Sequence, residues 1–195
     1  KNVTAPDEIF DFFSSLGVEY IQFIACVEMD SETAEVADFS VTAEQYGDFL
    51  CRIFDRWLQY GPEKLHVRTF DSILSFLASG QHTECTFMRK GGDYIVIEHN
   101  GDAFCCDFFV QDEFRLGNVL DTPIGELFRS DVKRDFANCK RNLHNKCIIC
   151  KYNSICRGGC LKDRINGGGS FGDSSYFCEG YKRFFEHSIP KLSQM

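Results

Sequence analysis

The sequence predicts a mixed fold, α/β in its first part and α+β in its second. Three observations predict it. A helical pattern over residues 1–16 runs into an apolar stretch over 18–27, the order of one α/β unit. Asn100-Gly101 stands between two alternating stretches and signals a two-residue β-hairpin. Beyond the hairpin come short helical segments and cysteine-rich loops, with Cys147, Cys150, Cys156 and Cys160 spaced C-x2-C-x5-C-x3-C.

The elements follow in order. Pro6 sits near the start of the first helix and Asp7 and Glu8 favour its first turn. Ile9, Phe10, Phe13 and Leu16 form its apolar face, and Gly17 ends it. Residues 18–27 read as a buried strand. The acidic stretch 28–40 reads as a solvated loop. Thr42 caps a helix over 43–60, with Tyr46, Phe49, Leu50, Ile53, Phe54 and Trp57 on one face. Gly61-Pro62 stops it. A short strand is expected over 67–70 and a helix over 71–78, ended by Gly80. Composition shifts at residue 81, dividing the chain into residues 1–80 and 81–195. Nothing there resembles a flexible linker, so the two parts are expected to pack directly. Residues 94–98 and 102–110 are the hairpin strands and 116–119 a short extended piece. Thr122 caps and Pro123 opens a helix to 129, and 131–138 form another. Gly167-Gly168-Gly169-Ser170 reads as a flexible turn, since it lacks the Lys-Ser/Thr ending of a phosphate loop. An amphipathic helix over 177–189 closes the chain.

Composition narrows the function. The 195 residues are 44% hydrophobic, enough for a sizeable core, and the twenty phenylalanines suit packing around irregular loops. A net charge of −8 argues against non-specific binding to nucleic acid or to an anionic membrane. No apolar run approaches the ~18 residues of a membrane span. Eleven cysteines, an odd number, fit a complete disulfide set poorly and point to a reducing cytoplasm.

Soft thiolates packed as closely as those of the 147–160 stretch suit a zinc ion or an iron–sulfur cluster. Gly158 and Gly159 free the backbone for positive φ and for close approach to a bulky centre. Lys151 and Arg157 offset the charge of thiolate ligands. Cys178 follows after seventeen residues, and Cys85 and Cys106 form C-x15-G-x4-C upstream with Gly101 as the glycine. This seven-cysteine pattern resembles the SPASM domain of radical S-adenosylmethionine (radical SAM) enzymes. The words Val96-Ile97-Glu98-His99-Asn100-Gly101-Asp102, Cys106-Asp107-Phe108-Phe109-Val110 and Leu116-Gly117-Asn118-Val119 make the chain similar to the anaerobic sulfatase-maturating enzymes.

The resemblance implies the rest. Residues 1–80 would be the terminal βα units of a partial (β/α)6 radical SAM barrel. Residues 81–195 would be a small SPASM domain binding auxiliary iron–sulfur (4Fe-4S) clusters. Cys147, Cys150, Cys156 and Cys178 would hold an outer cluster. Cys85, Cys106 and Cys160 would hold an inner one. Sulfatase maturases carry a further cysteine six residues after the first, where this chain has Gly91. An open iron site, a non-cysteine ligand, replacement by Cys105 or Cys139, or an absent or different cluster would each account for that. Strand alternation would turn Cys105 away from Cys106.

Asp107 matches the aspartate that takes the proton from the substrate's Cys or Ser side chain. It would project from the opposite strand face, with burial raising its pKa. The plainer reading makes it a hydrogen-bonding neighbour of the centre. Tyr94, Arg115 and Tyr152 are candidates for peptide contact, with ordinary packing the plainer role.

No C-x3-C-x2-C triplet is present, so by the resemblance the chain is expected to be the C-terminal half of a longer oxidoreductase. S-adenosylmethionine and a third 4Fe-4S cluster would belong to the other half. The expected activity is oxidation of a sulfatase Cys or Ser to Cα-formylglycine. Its partners would be an unfolded sulfatase or other peptide and an electron carrier such as ferredoxin or flavodoxin. A SPASM peptide maturase with another substrate, for example one forming a thioether crosslink, is the alternative within the superfamily. A non-catalytic zinc-binding interaction module is the alternative outside it.

Overall fold

The structure is a computed structural model, and it describes residues 2–166 and 169–194. Nine helices and five short strands are assigned among the described residues. None of these helices is long and apolar enough to cross a membrane.

A three-residue 3-10 turn precedes α1 (Pro6–Ser15), and Gly17 ends the helix at φ +69°. α2 (Ala43–Tyr60) begins with a full capping box, in which Thr42 accepts from the Gln45 backbone and Gln45 accepts from that of Thr42. Its six expected core residues are all buried. Asp7, in the first turn of α1, and Asp11, a turn further on, hold Arg56 of α2 across the two helices.

The expected buried strand over 18–27 is not present. Only β1 (Tyr20–Ile21) pairs, in parallel, with β2 (His66–Val67), and of residues 18–27 only Val27 is buried. A strand becomes buried by having neighbours, and this one has a partner on one side only among the described residues. The expected strand over 67–70 is likewise corrected, because α3 (Arg68–Ser79) starts at Arg68. In the acidic loop Glu28 is paired to Lys162 rather than merely solvated, and Asp30 accepts from the backbone of Glu32 and Thr33.

α9 (Cys178–Leu192) lies against α2, and the main core joins them to α3. Phe54 meets Phe70 at 5.3 Å and Phe184 at 5.9 Å, and Phe87 also enters this core. The indole of Trp57 donates to the Leu65 carbonyl at 2.6 Å. The two helices touch glycine to glycine. A methyl on Gly180 would overlap the Ala43 carbonyl, and one on Gly47 would lie 2.8 Å from the Gly180 Cα. Backbone cannot yield as a side-chain tip does. Gly180→Ala is therefore expected to destabilise by ~1–3 kcal/mol, the scale of core overpacking. Urea unfolding measures it, and an unchanged midpoint would show that the helices separate freely.

A second core forms below a three-stranded antiparallel meander of β3 (Val96–Ile97), β4 (Asp102–Phe104) and β5 (Arg115–Asn118). The hairpin turn is not the expected two-residue turn. Glu98 donates to the Asp102 carbonyl, closing a loop of His99, Asn100 and Gly101, with Gly101 at φ +90°. That is the three-residue solution, in which a left-handed glycine ends the turn. β4 stops at Phe104 instead of running to 110, and the chain turns where Phe109 donates to the Cys106 carbonyl.

α4 (Ile124–Arg129) has Pro123 at its N-cap position and no side-chain cap, so Thr122 does not cap it. Ser130 caps α5 (Asp131–Cys139). Three short helices, α6 (Asn145–Ile148), α7 (Asn153–Cys156) and α8 (Leu161–Ile165), lie within the expected cysteine-rich loops. Of the expected glycine-rich turn, Gly167 and Gly168 lie outside the described residues.

Candidate iron–sulfur site

The cysteines gather in two groups. Cys147 on α6, Cys150 just after it, Cys156 ending α7 and Cys178 opening α9 line one narrow recess. The local fold makes this group. His144 caps α6 through its ring nitrogen, 3.1 Å from the Lys146 N. A turn from Cys147 to Cys150 follows, and the Tyr152 N–H points at the Cys150 sulfur at 3.4 Å. Arg157, Gly158 and Gly159 then turn left-handed in succession at φ 51°, 77° and 70°. That reversal separates Cys156 in this recess from Cys160, which faces a different cavity.

Cys160 shares that second cavity, about 430 Å³ and open to solvent, with Cys85 and Cys106. Asp107, Tyr94 and Glu84 also line it. Gly91 is off the cavity wall. It is buried with Ala137, Phe136 and Leu161 3.8–3.9 Å from where a Cβ would stand. Cys105 and Cys139 line neither cavity. Cys105 is fully buried with its sulfur toward the Val132 carbonyl, and the Cys139 sulfur turns to the carbonyl of Asp135. Among the described residues no three His, Cys, Asp or Glu groups close up as a single metal ion would need. A four-iron cluster is larger than one ion and spreads its sulfur ligands further apart.

Electrostatics supply the fit test for such a centre. Burial pushes the Cys106 thiol up to about 11 and those of Cys156 and Cys160 up to about 12. As free thiols these groups stay protonated, so metal binding must displace protons. Around them lie three buried cations. Lys133 donates to the carbonyls of Tyr94 and Cys105. Lys140 donates to those of Cys85 and Thr86. Arg164, 1% exposed, donates to five, those of Gly158, Asn142, Phe171, Lys140 and Arg157. Among the described residues none of the three makes an ion pair with a carboxylate. Burial lowers all three pKa values, that of Lys140 to about 8, and nearby cysteine sulfurs oppose the fall in each. A buried charge without a partner is costly. Thiolates carrying a cluster's negative charge would supply the partner, and the residues present fit that group. The expected charge-offsetting role of Lys151 is corrected, since it is exposed and pairs with Glu186.

Asp107 follows Cys106 in the turn, not on a strand face, and is exposed. Tyr94 donates to its Oδ1 at 2.7 Å, and the Cys106 sulfur is 3.2 Å from the same oxygen. Burial raises its pKa, but the Tyr94, Cys106 and backbone hydrogen bonds outweigh it and hold the carboxyl below its ordinary value. The expected upward shift is thus reversed. Sequence reasoning missed Lys133, Lys140 and Arg164 altogether and left Tyr94 among residues of ordinary role. Their partners are backbone carbonyls and a neighbouring turn, which leave no spacing to read.

Comparison with known proteins gives the class first. The SPASM family, described as an iron–sulfur cluster-binding domain, matches residues 85–157. Curated proteins similar to the chain include anaerobic sulfatase-maturating enzymes. It is 33% identical to the serine-type enzyme of Bacteroides thetaiotaomicron, over 100% of this chain and 51% of that one. It is 30% identical to the cysteine-type enzyme of Clostridium perfringens, over 95% of this chain and 51% of that one. The structure of native anSMEcpe with bound AdoMet superposes with a TM-score of 0.86 at 28% identity, covering 98% of this chain and 53% of that one. With AdoMet and the Kp18Cys peptide bound to anSMEcpe, the TM-score is 0.87. The chain spans about half the length of the curated relatives it matches.

Proposed function

We propose that this chain is the auxiliary-cluster part of a radical SAM enzyme that oxidises a peptide side chain, as the sulfatase maturases do. One observation carries the reading: two separate cysteine groups with three buried cations near them that no carboxylate pairs among the described residues. Cys147, Cys150, Cys156 and Cys178 would hold one 4Fe-4S cluster and Cys85, Cys106 and Cys160 a second. When bound, such clusters supply one-electron acceptance, and with it a route for the substrate's last electron to a carrier such as ferredoxin or flavodoxin.

The chain's own residues do the rest. The large cavity takes the peptide. Asp107, ionised and exposed at that cavity, accepts the proton of the substrate Cys or Ser side chain, and Tyr94 fixes the orientation of its carboxylate. The Cβ hydrogen goes to the 5′-deoxyadenosyl radical, made outside this chain from S-adenosylmethionine. Residues 1–80 are read as the last βα units of a partial (β/α)6 barrel, whose next strand would pair along the open side of β1. Residues 81–195 are read as the SPASM domain, in a cytoplasmic enzyme. The second reading, thioether formation on another peptide, is favoured by Gly91, which leaves the Cys85 group with three sulfurs.

Iron and sulfide analysis of anaerobically reconstituted protein tests the cluster assignment. About eight irons, the content of two four-iron clusters, are expected. About four would leave only the Cys147 group loaded. Colourless protein with stoichiometric zinc would replace this reading with the interaction module. Mass spectrometry of peptides carrying Cys/Ser-x-Pro-x-Arg then separates formylglycine from a crosslink.

A further inference from the structure

The cavity that holds Asp107 does not stand alone. A third cavity of similar size, about 550 Å³ and open to solvent, adjoins it, and Phe108 and Lys162 line both. The chain passes directly from one to the other, since Asp107 lines the first, Phe108 both and Phe109 the second. Aromatic rings make the inner wall of the third cavity. Phe109 meets Phe114 at 5.1 Å and Phe171 at 5.5 Å. Phe109 is buried, whereas Phe114 and Phe171 are half-buried and keep part of their surface open. Glu28 and Glu113, both exposed, stand at the same cavity.

One cation of the chain already uses this wall. Lys162 lies over the Phe108 ring, 4.7 Å from its centroid, and pairs with Glu28. Glu113 with Phe114 and Phe171 repeats that combination of carboxylate and ring. Among the described residues no cation of the chain pairs with Glu113 or lies over either ring. Lys162 is the cavity's one cationic lining residue, and Glu28 holds it, so Glu113 is the carboxylate left without a counter-charge.

We propose that this third cavity is a subsite of the peptide cleft and takes a basic side chain of the bound peptide, arginine before lysine. This rests on reading the Asp107 cavity as the peptide site. A guanidinium is planar and weakly hydrated, so it stacks on a ring while its N–H groups reach a carboxylate. An extended peptide advances ~3.3 Å per residue. The basic residue therefore stands only a few residues from the one that Asp107 serves, on the side where the peptide passes Phe108.

Fluorescence anisotropy of labelled peptides on the intact, anaerobically reconstituted enzyme tests it. The parent is an arginine-free peptide with one cysteine, and a single arginine is moved through it one position at a time on both sides of that cysteine. Arginine at one position is expected to tighten Kd by at least ~5-fold, the scale of a cation–ring contact with an exposed ion pair, and lysine there by less. Glu113→Gln and Phe171→Leu should each remove most of that gain, while iron content and Kd for the parent peptide stay at wild-type levels. Glu113 is exposed, so its variant keeps the fold whatever Phe171→Leu does to the second core. A gain at no position, or one that survives Glu113→Gln, overturns the proposal. Equal weakening of parent and arginine peptides by Glu113→Gln overturns it too, because a general effect is not a subsite. Wild-type enzyme that binds no peptide at all overturns the peptide reading of the Asp107 cavity instead.

Discussion

Asp107→Asn is expected to abolish formation of the modified side chain in the intact enzyme, by ~10²–10⁴-fold, the range of a positioned general base. The argument is geometric. Asp107 is the exposed carboxylate beside Cys106 at the large cavity, and Tyr94 orients it at 2.7 Å. Asparagine keeps the shape and can still accept from Tyr94, but it cannot take a proton. Iron content should stay at the wild-type level, since Asp107 is not among the proposed ligands. Cleavage of S-adenosylmethionine should continue without matching product. The measurement is quantitation of 5′-deoxyadenosine and modified peptide by mass spectrometry. Wild-type yield from Asp107→Asn would remove the base from the mechanism. Parallel loss of iron would make Asp107 a structural neighbour of the centre. Tyr94→Phe should fall between, because it frees the carboxylate without removing it.

Arg164→Met is expected to be the most damaging substitution outside the cysteines. One buried guanidinium satisfies carbonyls from five residues, at 2.8 Å to Phe171 and 2.9 Å to Arg157 among them. They come from the end of α5 and the turn that follows it, the turn after α7 and the stretch after α8. Each carbonyl left buried and unpaired costs ~1–3 kcal/mol, partly recovered where the loop relaxes or water enters. The expected net loss is ~3–5 kcal/mol, with failure to load iron, because the loop that separates Cys156 from Cys160 comes apart. Lysine should not rescue it, since a single ammonium cannot reach five acceptors in a forked arrangement. Urea unfolding and iron content together decide the matter. A variant that loads normally and unfolds at the wild-type midpoint would show that the loop holds itself.

The two substitutions differ in how visible their sites were. Asp107 was legible because it adjoins a patterned cysteine in a short word. Arg164 was not, since a lone arginine on a five-residue helix looks like any surface cation. Its burial follows from where five carbonyls from separate segments converge.

The same division runs through the molecule. Local rules determined α2, where the Thr42 cap, the Gln45 return bond and a 3.6-residue apolar period are all written within one stretch. They determined the positive-φ glycines at 158 and 159 and the dense cysteine spacing of 147–160, which depend on neighbours in sequence. Only the tertiary structure decided how little of 18–27 pairs, because strand burial depends on partners elsewhere in the chain. It also decided the glycine contact between α2 and α9, the meeting of Cys85 and Cys106 with Cys160, and the three buried cations. Most of those contacts join residues tens of positions apart, and the cations reach backbone carbonyls that every residue carries, so no side-chain pattern announces them.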